Sequence, residues 1–544
     1  MKNSFINLLR DPDSVLFQLE DSAYRFEEPK ERETRGKIGF DVIDGEGHIT
    51  VYPSTKPIRR VKLRWRGDMS DVILVLGDAL ERNYDITQGN VQEGQVAMWR
   101  GVLPEMRMPW YFHAYDGERL NCFGVKTGAD AFCHFHLDEK GITLWLDLRC
   151  GGIGVDLKEP LLAAKVVCRR GEVGEDPFFA AKAFCKMMST KPVLPKSPIF
   201  GVNNWYWAYG KIDHNIIMDE TENLMDMCRD AKQSPYMIID DGWQVNRHEM
   251  KTGGNYIGGP WTGGNKGFPS IGETALRIKE KGAIPGIWFR PLLTDKVASA
   301  SMLSPHQQTT TEGVIIDPSN PESLALISED VKRIRGFGYE LIKFDFSTFD
   351  LIGRNGLKDG SAPFYDRTKT TCTIVKNFYK TIAYCAGDAV TLGCNTVNHL
   401  AAGILSAQRT GHDTSGRSYE ITRAAACAAM IRLPQNNTFF SVDPDCAAFT
   451  DRVPIDSNLD FLELCAITGS TTLASVTPGI IKGKDMERIR RIYKIASEKG
   501  KDAYPIDWLG HNSASKYKCN DGEIFDIDWY KTYDGCRLIF DWMN

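Results

Sequence analysis

The chain has 544 residues, 42% of them hydrophobic and 25% charged, with a net charge of -5. At ~100–200 residues per domain, that length allows roughly two to four domains, or one large barrel with additions. The negative balance gives no electrostatic support for a nucleic-acid or acidic-membrane partner.

The opening segment MKNSFINLLRDPDSVLF lacks the apolar core of ~7–15 residues that a signal peptide needs. No run of ~18 apolar residues indicates a membrane helix. The fourteen cysteines are scattered, without repeated C-x-x-C pairs. They read as reduced, mostly buried residues of a cytoplasmic protein. Twelve tryptophans and nineteen tyrosines suit sugar rings, and equally suit cores.

The first third reads as β. HITVYPS (48–54), VKLRWRG (61–67), VILVLG (72–77), MPWYFHAYD (108–116), AFCHFHL (131–137) and ITLWLDL (142–148) are short, β-branched or aromatic, and bounded by turn residues. Such spacing predicts a β-sandwich. Cys133, His134 and His136 could be imagined as metal ligands, but zinc wants four ligands and no second cluster lies near in sequence. DPFFAAKAFCKMM (176–188) predicts a helix, and KPVLPKSP (191–198) a linker.

After the linker, short apolar runs alternate with helical stretches. The candidate strands are IFGVNNW (199–205), MIIDD (237–241), AIPGIWF (283–289), LIKFD (341–345), AVTLGCN (389–395), LSAQRTG (405–411), TFFSVD (438–443) and LASVTP (473–478). Helices are predicted over 215–232, 323–338 and 367–386; the weakest lies between the fifth and sixth strands. Eight β/α units predict a (β/α)8 barrel. A further helix (484–500) leads to a short C-terminal β region. The expected domains are 1–195 (N-terminal β-sandwich with linker), 196–483 (barrel) and 484–544 (helix plus β appendage).

In such a barrel the active site lies at the C-terminal ends of the strands. Here those ends carry Asn203, Asn204 and Trp205; Asp240, Asp241 and Trp243; Lys343 and Asp345; Cys394 and Asn395; Arg409 and Asp413; Asp443 and Asp445. One such end could be a salt bridge. Six converging ends are hard to explain structurally, because each buried charge is costly unless paired.

Asp345 and Asp413 would sit on different strand ends of one pocket. Two facing carboxylates are what glycosidic cleavage needs: one attacks the anomeric carbon, the other protonates the leaving oxygen. Lys343, on the same strand face as Asp345, would keep it ionised. Asp413 would need burial or a negative neighbour to hold its proton. Asp240 and Asp241 could read vicinal hydroxyls. The structural alternatives stay open: a strand-end salt bridge for Asp345, and helix capping for Asp240-Asp241 and for Asp413. The glycine-rich run TGGNYIGGPWTGGNKGF (252–268) lacks a GK[ST] ending and reads as a substrate-covering loop that presents Trp261.

These motifs resemble the α-galactosidases of glycoside hydrolase family 36, with echoes of family 27, over roughly residues 199–480. VNNWYWAYG is similar to the family's first-strand NNW motif. IIDDGWQ resembles its DDGW motif, and GFPS its KFP-type segment. GIWFRP is similar to the GLWVEP-type strand, and LIKFD to the KxD nucleophile motif. GCN resembles the start of the strand-five loop, AQRTGHDTS the acid/base segment, and VDPDC the DPD segment.

The resemblance implies that Asp345 is the nucleophile and Asp413 the acid/base of a retaining double displacement, with the carboxyls ~5–5.5 Å apart. It implies that Asp240 and Asp241 bind the 4-OH and 6-OH of galactose, and Lys343 the 3- and 4-hydroxyls. Trp205 would wall the pocket, Arg409 and Cys394 would lie near the 2-OH, with Asn395 beside them, and Asp443 and Asp445 would support the site. It implies no metal and no organic cofactor. Three departures stand out. The strand-five loop is NTVNHLAAG instead of glycine-rich, which touches the choice between 2-OH and N-acetyl. Arg290 and Leu292 replace the acidic residues of the WVEPE-type motif, and His412 stands beside Asp413.

The expected function is a retaining glycoside hydrolase that releases terminal α-linked galactose from small galactosides. The alternatives are an α-N-acetylgalactosaminidase, a β-L-arabinopyranosidase, a raffinose-synthase-like transgalactosylase, and a non-catalytic sugar-binding protein. The partner is a galactoside, with no nucleic acid and no membrane. A homo-oligomer would use aromatic segments such as MPWYFHAY.

Overall fold

In the N-terminal part, alternating sequences make strands that bury one face. The structure, a computed structural model, describes residues 4–20, 37–79, 98–100, 107–245, 259, 261–295, 297–306, 313–353, 357–510 and 514–531. Two antiparallel sheets form here. One has five strands, in the order Ser14–Leu19, Ile58–Arg66, Gly141–Asp147, Phe132–Asp138 and Met108–Pro109. The other has seven: Ile38–Ile43, Glu46–Val51, Leu161–Arg169, Leu120–Val125, Tyr111–Tyr115, Leu74–Gly77 and Met98–Arg100. Phe112 of one sheet meets Phe135 of the other at 5.4 Å, and Phe40 meets Trp65 at 6.1 Å, so apolar faces of the two sheets touch.

Two expectations change here. MPWYFHAY is core rather than a surface interface: Met108, Trp110 and Phe112 are almost fully buried. The segment is also not one strand. It turns at Trp110, where φ is +67°, and passes from the first sheet to the second. The Cys133–His134–His136 group cannot share a metal, because strand alternation puts Cys133 on the buried face and both histidines on the other. His134 stacks on Trp145 instead, at 6.1 Å.

Helix Pro177–Met188 and an irregular stretch lead to a curled, nine-stranded parallel sheet. Its strands are Phe200–Asn203, Tyr236–Ile239, Ile284–Phe289, Leu341–Phe344, Val390–Gly393, Ala407–Arg409, Ser441–Asp443, Cys446–Phe449 and Thr472–Val476. The eight predicted runs all fall on them. The ninth strand arises because the segment that begins with the seventh run breaks just after it, at Pro444 and Asp445, where Asp445 has φ +72°. Its first half pairs with Ala407–Arg409 and its second half with Thr472–Val476. The two edges of the sheet therefore come from one continuous segment. These strands are short and apolar because both of their faces are covered. Gly201 is required where the first two strands meet: a Cβ there would lie 2.0 Å from the Tyr236 carbonyl oxygen.

The helix between the fifth and sixth strands is only Asn398–Ala401, as the weak pattern suggested. Helix Gly483–Ser497 lies against the parallel sheet, with Tyr493 Oη donating to the Gly201 carbonyl at 2.7 Å. The C-terminal region adds three short strands, Tyr504–Pro505, Lys516–Lys518 and Ile524–Asp526. The last sequence run, DGCRLIFDWMN, lies outside the described residues.

The N-terminal sheets are tied to the parallel sheet by specific contacts. Trp110 stacks on His399 at 4.7 Å and 4°. Arg149 and Arg60 both bond Asp359, at 2.7 and 2.6 Å. Lys376 pairs with Asp130 at 2.7 Å, and Gln435 donates to the Tyr111 hydroxyl at 2.7 Å. Trp110 is 1% exposed. Trp110→Ala should therefore cost about 3–5 kcal/mol through the cavity it leaves, read as a lower midpoint of urea unfolding. An unchanged midpoint would show that the stack adds nothing to stability.

Candidate active site

The run LIKF forms a buried strand, and its inward residue Lys343 is only 5% exposed. Lys343 Nζ lies 2.8 Å from Asp240 Oδ2, and both side chains are nearly inaccessible. Asn203 Nδ2 donates to the same oxygen at 2.7 Å. The Asp241 amide donates to Asp240 Oδ1 at 2.9 Å, and the Asp240 amide donates to Asn204 Oδ1 at 3.0 Å. Three strand ends are thus joined through one carboxylate. Burial pulls the Lys343 ammonium down, but the charges of Asp240, Cys394 and Asp445 outweigh it and hold it well above the usual lysine range.

Asp241 is placed differently. Gln244 Nε2 donates to its Oδ1 at 2.6 Å. Its Oδ2 is buried and has no hydrogen-bond partner among the described residues. Burial, against the Gln244 bond and reinforced by Asp240, pushes its carboxyl up to about 8. A buried oxygen left open beside a satisfied ion pair is a ready position for a ligand hydroxyl. Neither Asp240 nor Asp241 caps a helix; the turn they begin leads on to Trp243, whose Nε1 donates to the Trp288 carbonyl at 2.8 Å.

Asp345 follows the fourth strand directly. Its Oδ2 accepts from Trp288 Nε1 at 3.1 Å, and its Oδ1 from the Phe346 amide at 2.6 Å. Trp288 is the register partner of Lys343 on the neighbouring strand, which brings its indole to the carboxylate. After Asp345 the chain turns into a short helix, Ser347–Ile352. Arg290, at the end of the third strand, grips that helix through Asp350. Its Nε and Nη2 reach Oδ2 and Oδ1 of Asp350 at 2.9 and 2.5 Å. Burial raises the Asp350 carboxyl to about 6, Arg290 opposing and Asp345 adding to the shift.

On the far side, Arg409 is the hub. Its Nη2 lies 2.6 Å from Asp413 and 3.2 Å from Asp445, and its Nη1 lies 3.5 Å from Cys394 Sγ. Asp445 also accepts from the Tyr206 hydroxyl, and from the Thr414 amide at 2.8 Å. Burial raises the Asp443 carboxyl to about 6, Arg409 opposing and Asp445 adding to it. From sequence, Asp413 is expected to be buried or to have a negative neighbour. In the structure its side chain is 44% exposed and its bonded neighbour is the Arg409 cation. The loop after Asp413 passes so close to Tyr206 that a Cβ on Gly416 would lie 1.8 Å from its carbonyl oxygen.

The strand ends thus gather Asp240, Asp241, Lys343 and Asp345 on one side and Cys394, Arg409 and Asp413 on the other. Trp205 is half-buried at the end of the first strand, edge-on to Tyr209 at 5.6 Å. Asn395 turns toward the helix after Asp345: its Oδ1 accepts from the Phe349 amide at 3.0 Å, and its carbonyl from the Thr348 amide at 2.8 Å. Trp261 does not face a substrate. It is fully buried against Trp243, Trp288 and Phe289, at 5.7 to 5.9 Å. Part of its glycine-rich loop lies outside the described residues.

Several residues of the site carried weaker sequence signals. Asn203 is the inward residue of a strand end already known to be polar. Tyr206, Gln244 and Trp288 look like ordinary core or turn residues until their partners are known. The Arg290–Asp350 pair joins residues 60 apart, and Arg290 was visible only as a departure from a motif.

No protein-family model matches this sequence. In three dimensions the chain is similar to glycoside hydrolase family 36 α-galactosidases. The Thermus thermophilus α-galactosidase TtGalA, in complex with p-nitrophenyl α-D-galactopyranoside, has a TM-score of 0.60 at 16% identity, over 90% of this chain and 95% of that one. The galactosidase domain of the α-galactosidase–sucrose kinase AgaSK has a TM-score of 0.58 at 11% identity, over 93% and 76%. AgaA from Geobacillus stearothermophilus, in complex with 1-deoxygalactonojirimycin, has a TM-score of 0.57 at 11% identity, over 88% and 69%. The likeness is one of fold.

Asp241 makes the site sensitive to pH. Its ordinary value is 3.8 and burial raises it to about 8. Between those values the folded protein holds a proton that the unfolded chain has released. The contribution of Asp241 to stability is therefore full below about pH 4 and falls as pH rises toward 8. Asp241→Asn cannot ionise. Its stability relative to wild type should grow across that window, by on the order of 1 kcal/mol or more. Parallel melting curves from pH 4 to 8 check this; a constant difference would refute it.

Proposed function

We propose that this chain is a retaining α-galactosidase acting on small galactosides. The observation that carries the reading is the arrangement around Asp345. Its carboxylate is oriented by two N–H donors, beside a buried Lys343–Asp240 pair and the open Oδ2 of Asp241. The pocket so formed offers a cation, a carboxylate and a neutral carboxyl to a ring of hydroxyls. The fold that carries it is similar to that of solved α-galactosidases, some of which hold stachyose or raffinose. The architecture we infer is a closed (β/α)8 barrel behind an N-terminal β-sandwich (1–195). Helix Gly483–Ser497 completes the eighth unit, so the barrel runs from 196 to about 497 rather than to 483.

In this reading Asp345 attacks the anomeric carbon. The glycosidic C–O bond breaks, and the leaving oxygen takes a proton from Asp413. Water then attacks the glycosyl ester, losing its proton to Asp413 and releasing Asp345. Arg409 lies within reach of Asp413 to hold it as it becomes charged between the two steps. Lys343 and Asp240 anchor the sugar's hydroxyls, and Asp241, protonated near neutral pH, can donate a hydrogen bond to one.

Wild-type protein should hydrolyse aryl α-D-galactoside faster than aryl α-N-acetylgalactosaminide. Asp345→Asn should lose about 10³-fold or more in kcat. Azide should restore turnover to a small-residue variant of Asp413 on a substrate with a good leaving group. Turnover of the N-acetyl substrate alone would keep the mechanism and move the specificity. Turnover of neither would end the galactosidase reading.

A further inference from the structure

Phe346 is an unusual residue to follow a carboxylate that must be held still. Its φ is +65° and its ψ 5°, the left-handed region that a bulky aromatic rarely occupies. Such a conformation persists only where the surroundings impose it. It sends the chain from the strand into the helix at once, and the Phe346 amide, at that corner, donates to Asp345 Oδ1 at 2.6 Å.

Three contacts impose it. The Arg290 guanidinium lies over the Phe346 ring, 4.2 Å from its centroid. The same guanidinium is bidentate to Asp350, whose own amide donates to the Phe346 carbonyl at 2.8 Å. From the next strand, Asn395 holds the Thr348 and Phe349 amides through its carbonyl and side-chain oxygens. The short helix is thus gripped from both neighbouring strands, and Arg290 touches both the strained residue and the helix behind it. Both members of the pair are buried, with side chains 4% and 0% exposed. A buried ion pair is weak evidence for stability, because hydrophobic residues of similar volume often do as well. A bidentate, stacked arginine does fix geometry.

We propose that Arg290 and Asp350 are positioning residues for the Asp345 nucleophile: they hold Phe346 in place at the corner, so that its amide and the Trp288 indole aim the carboxylate between them. The proposal rests on the galactosidase reading for the name of the reaction, but the geometry of Asp345 can be measured apart from it.

Removing Arg290 alone would strand a buried carboxylate and risk unfolding. Two other variants avoid this. Phe346→Gly suits the positive φ and removes the stack. The paired change Arg290→Met with Asp350→Leu removes both charges at similar volume. Each is treated with an α-galactose-configured cyclophellitol epoxide. In that reaction an Asp345 oxygen forms an ester bond to the ring carbon, the epoxide C–O bond breaks, and Asp413 protonates the released oxygen. The maximal inactivation rate should fall about 10- to 100-fold in both variants, with the half-saturating concentration of epoxide unchanged. Asp350→Glu, which can keep the pair, should recover part of the rate.

The second readout needs no substrate. In an indole 1H–15N spectrum assigned through Trp288→Phe, the Trp288 resonance should move upfield in both variants, as its bond to Asp345 weakens. An unchanged inactivation rate in the two variants overturns the proposal, whatever the resonance does. If the epoxide does not label even wild type, the galactosidase reading fails. The resonance then decides alone: movement in both variants upholds the positioning role, and no movement overturns it.

Discussion

A buried ammonium against a buried carboxylate is the constraint around which this site is built. Lys343 and Asp240 come from strands that are not neighbours; the strand ending at Phe289 lies between them. Neither charge could be left alone at that depth without a large desolvation cost. Each therefore obliges the other. Because the pair must meet, the registers of the second and fourth strands are tied, and Asn203 is drawn in from the first to satisfy the same carboxylate oxygen. The pair leaves Asp241 next to a carboxylate already satisfied and shut off from water. Burial there pushes the Asp241 carboxyl up to about 8, so it keeps its proton near neutral pH.

The opposite wall repeats the logic with a different cation. Arg409, fully buried, faces Asp445, Asp413 and Cys394. A guanidinium can serve several partners at once, where an ammonium behaves as a point charge. The break of the seventh strand at Pro444 and Asp445 belongs to this wall. The break frees the Asp445 carboxylate from strand alternation, and it meets Arg409, Tyr206 and the Thr414 amide together. A kink in the sheet and an ion pair in the site are one feature. Arg290 and Asp350 complete the pattern on the third side. All three cations are buried at strand ends, and each is held by an aspartate.

Much of this was legible in the chain. The eight apolar runs after residue 195 fall on the strands of the parallel sheet, because strands covered on both faces must be apolar throughout. The polar residues at their ends were visible for the same reason in reverse: charge after a buried strand has to be explained. The N-terminal part was less legible. Strands such as Ile38–Ile43, Leu120–Val125 and Leu161–Arg169 have less regular patterns, and MPWYFHAY reads as one strand although it serves two sheets. The positive φ at Trp110 that divides it leaves no mark in a run of aromatic residues.

The sequence by itself determined which residues would be charged at the strand ends, and that their convergence needed a chemical reason. Alternation along a strand put Lys343 and Asp345 on one face, since that follows from local geometry alone. Only the tertiary structure decided the partners. It gave Lys343 to Asp240, Arg290 to Asp350 and Arg409 to Asp413, buried Trp261 in the core, and turned Asn395 toward a helix. Pairing across strands depends on register and on the curl of the sheet, set by packing across the whole fold that no single stretch of sequence contains.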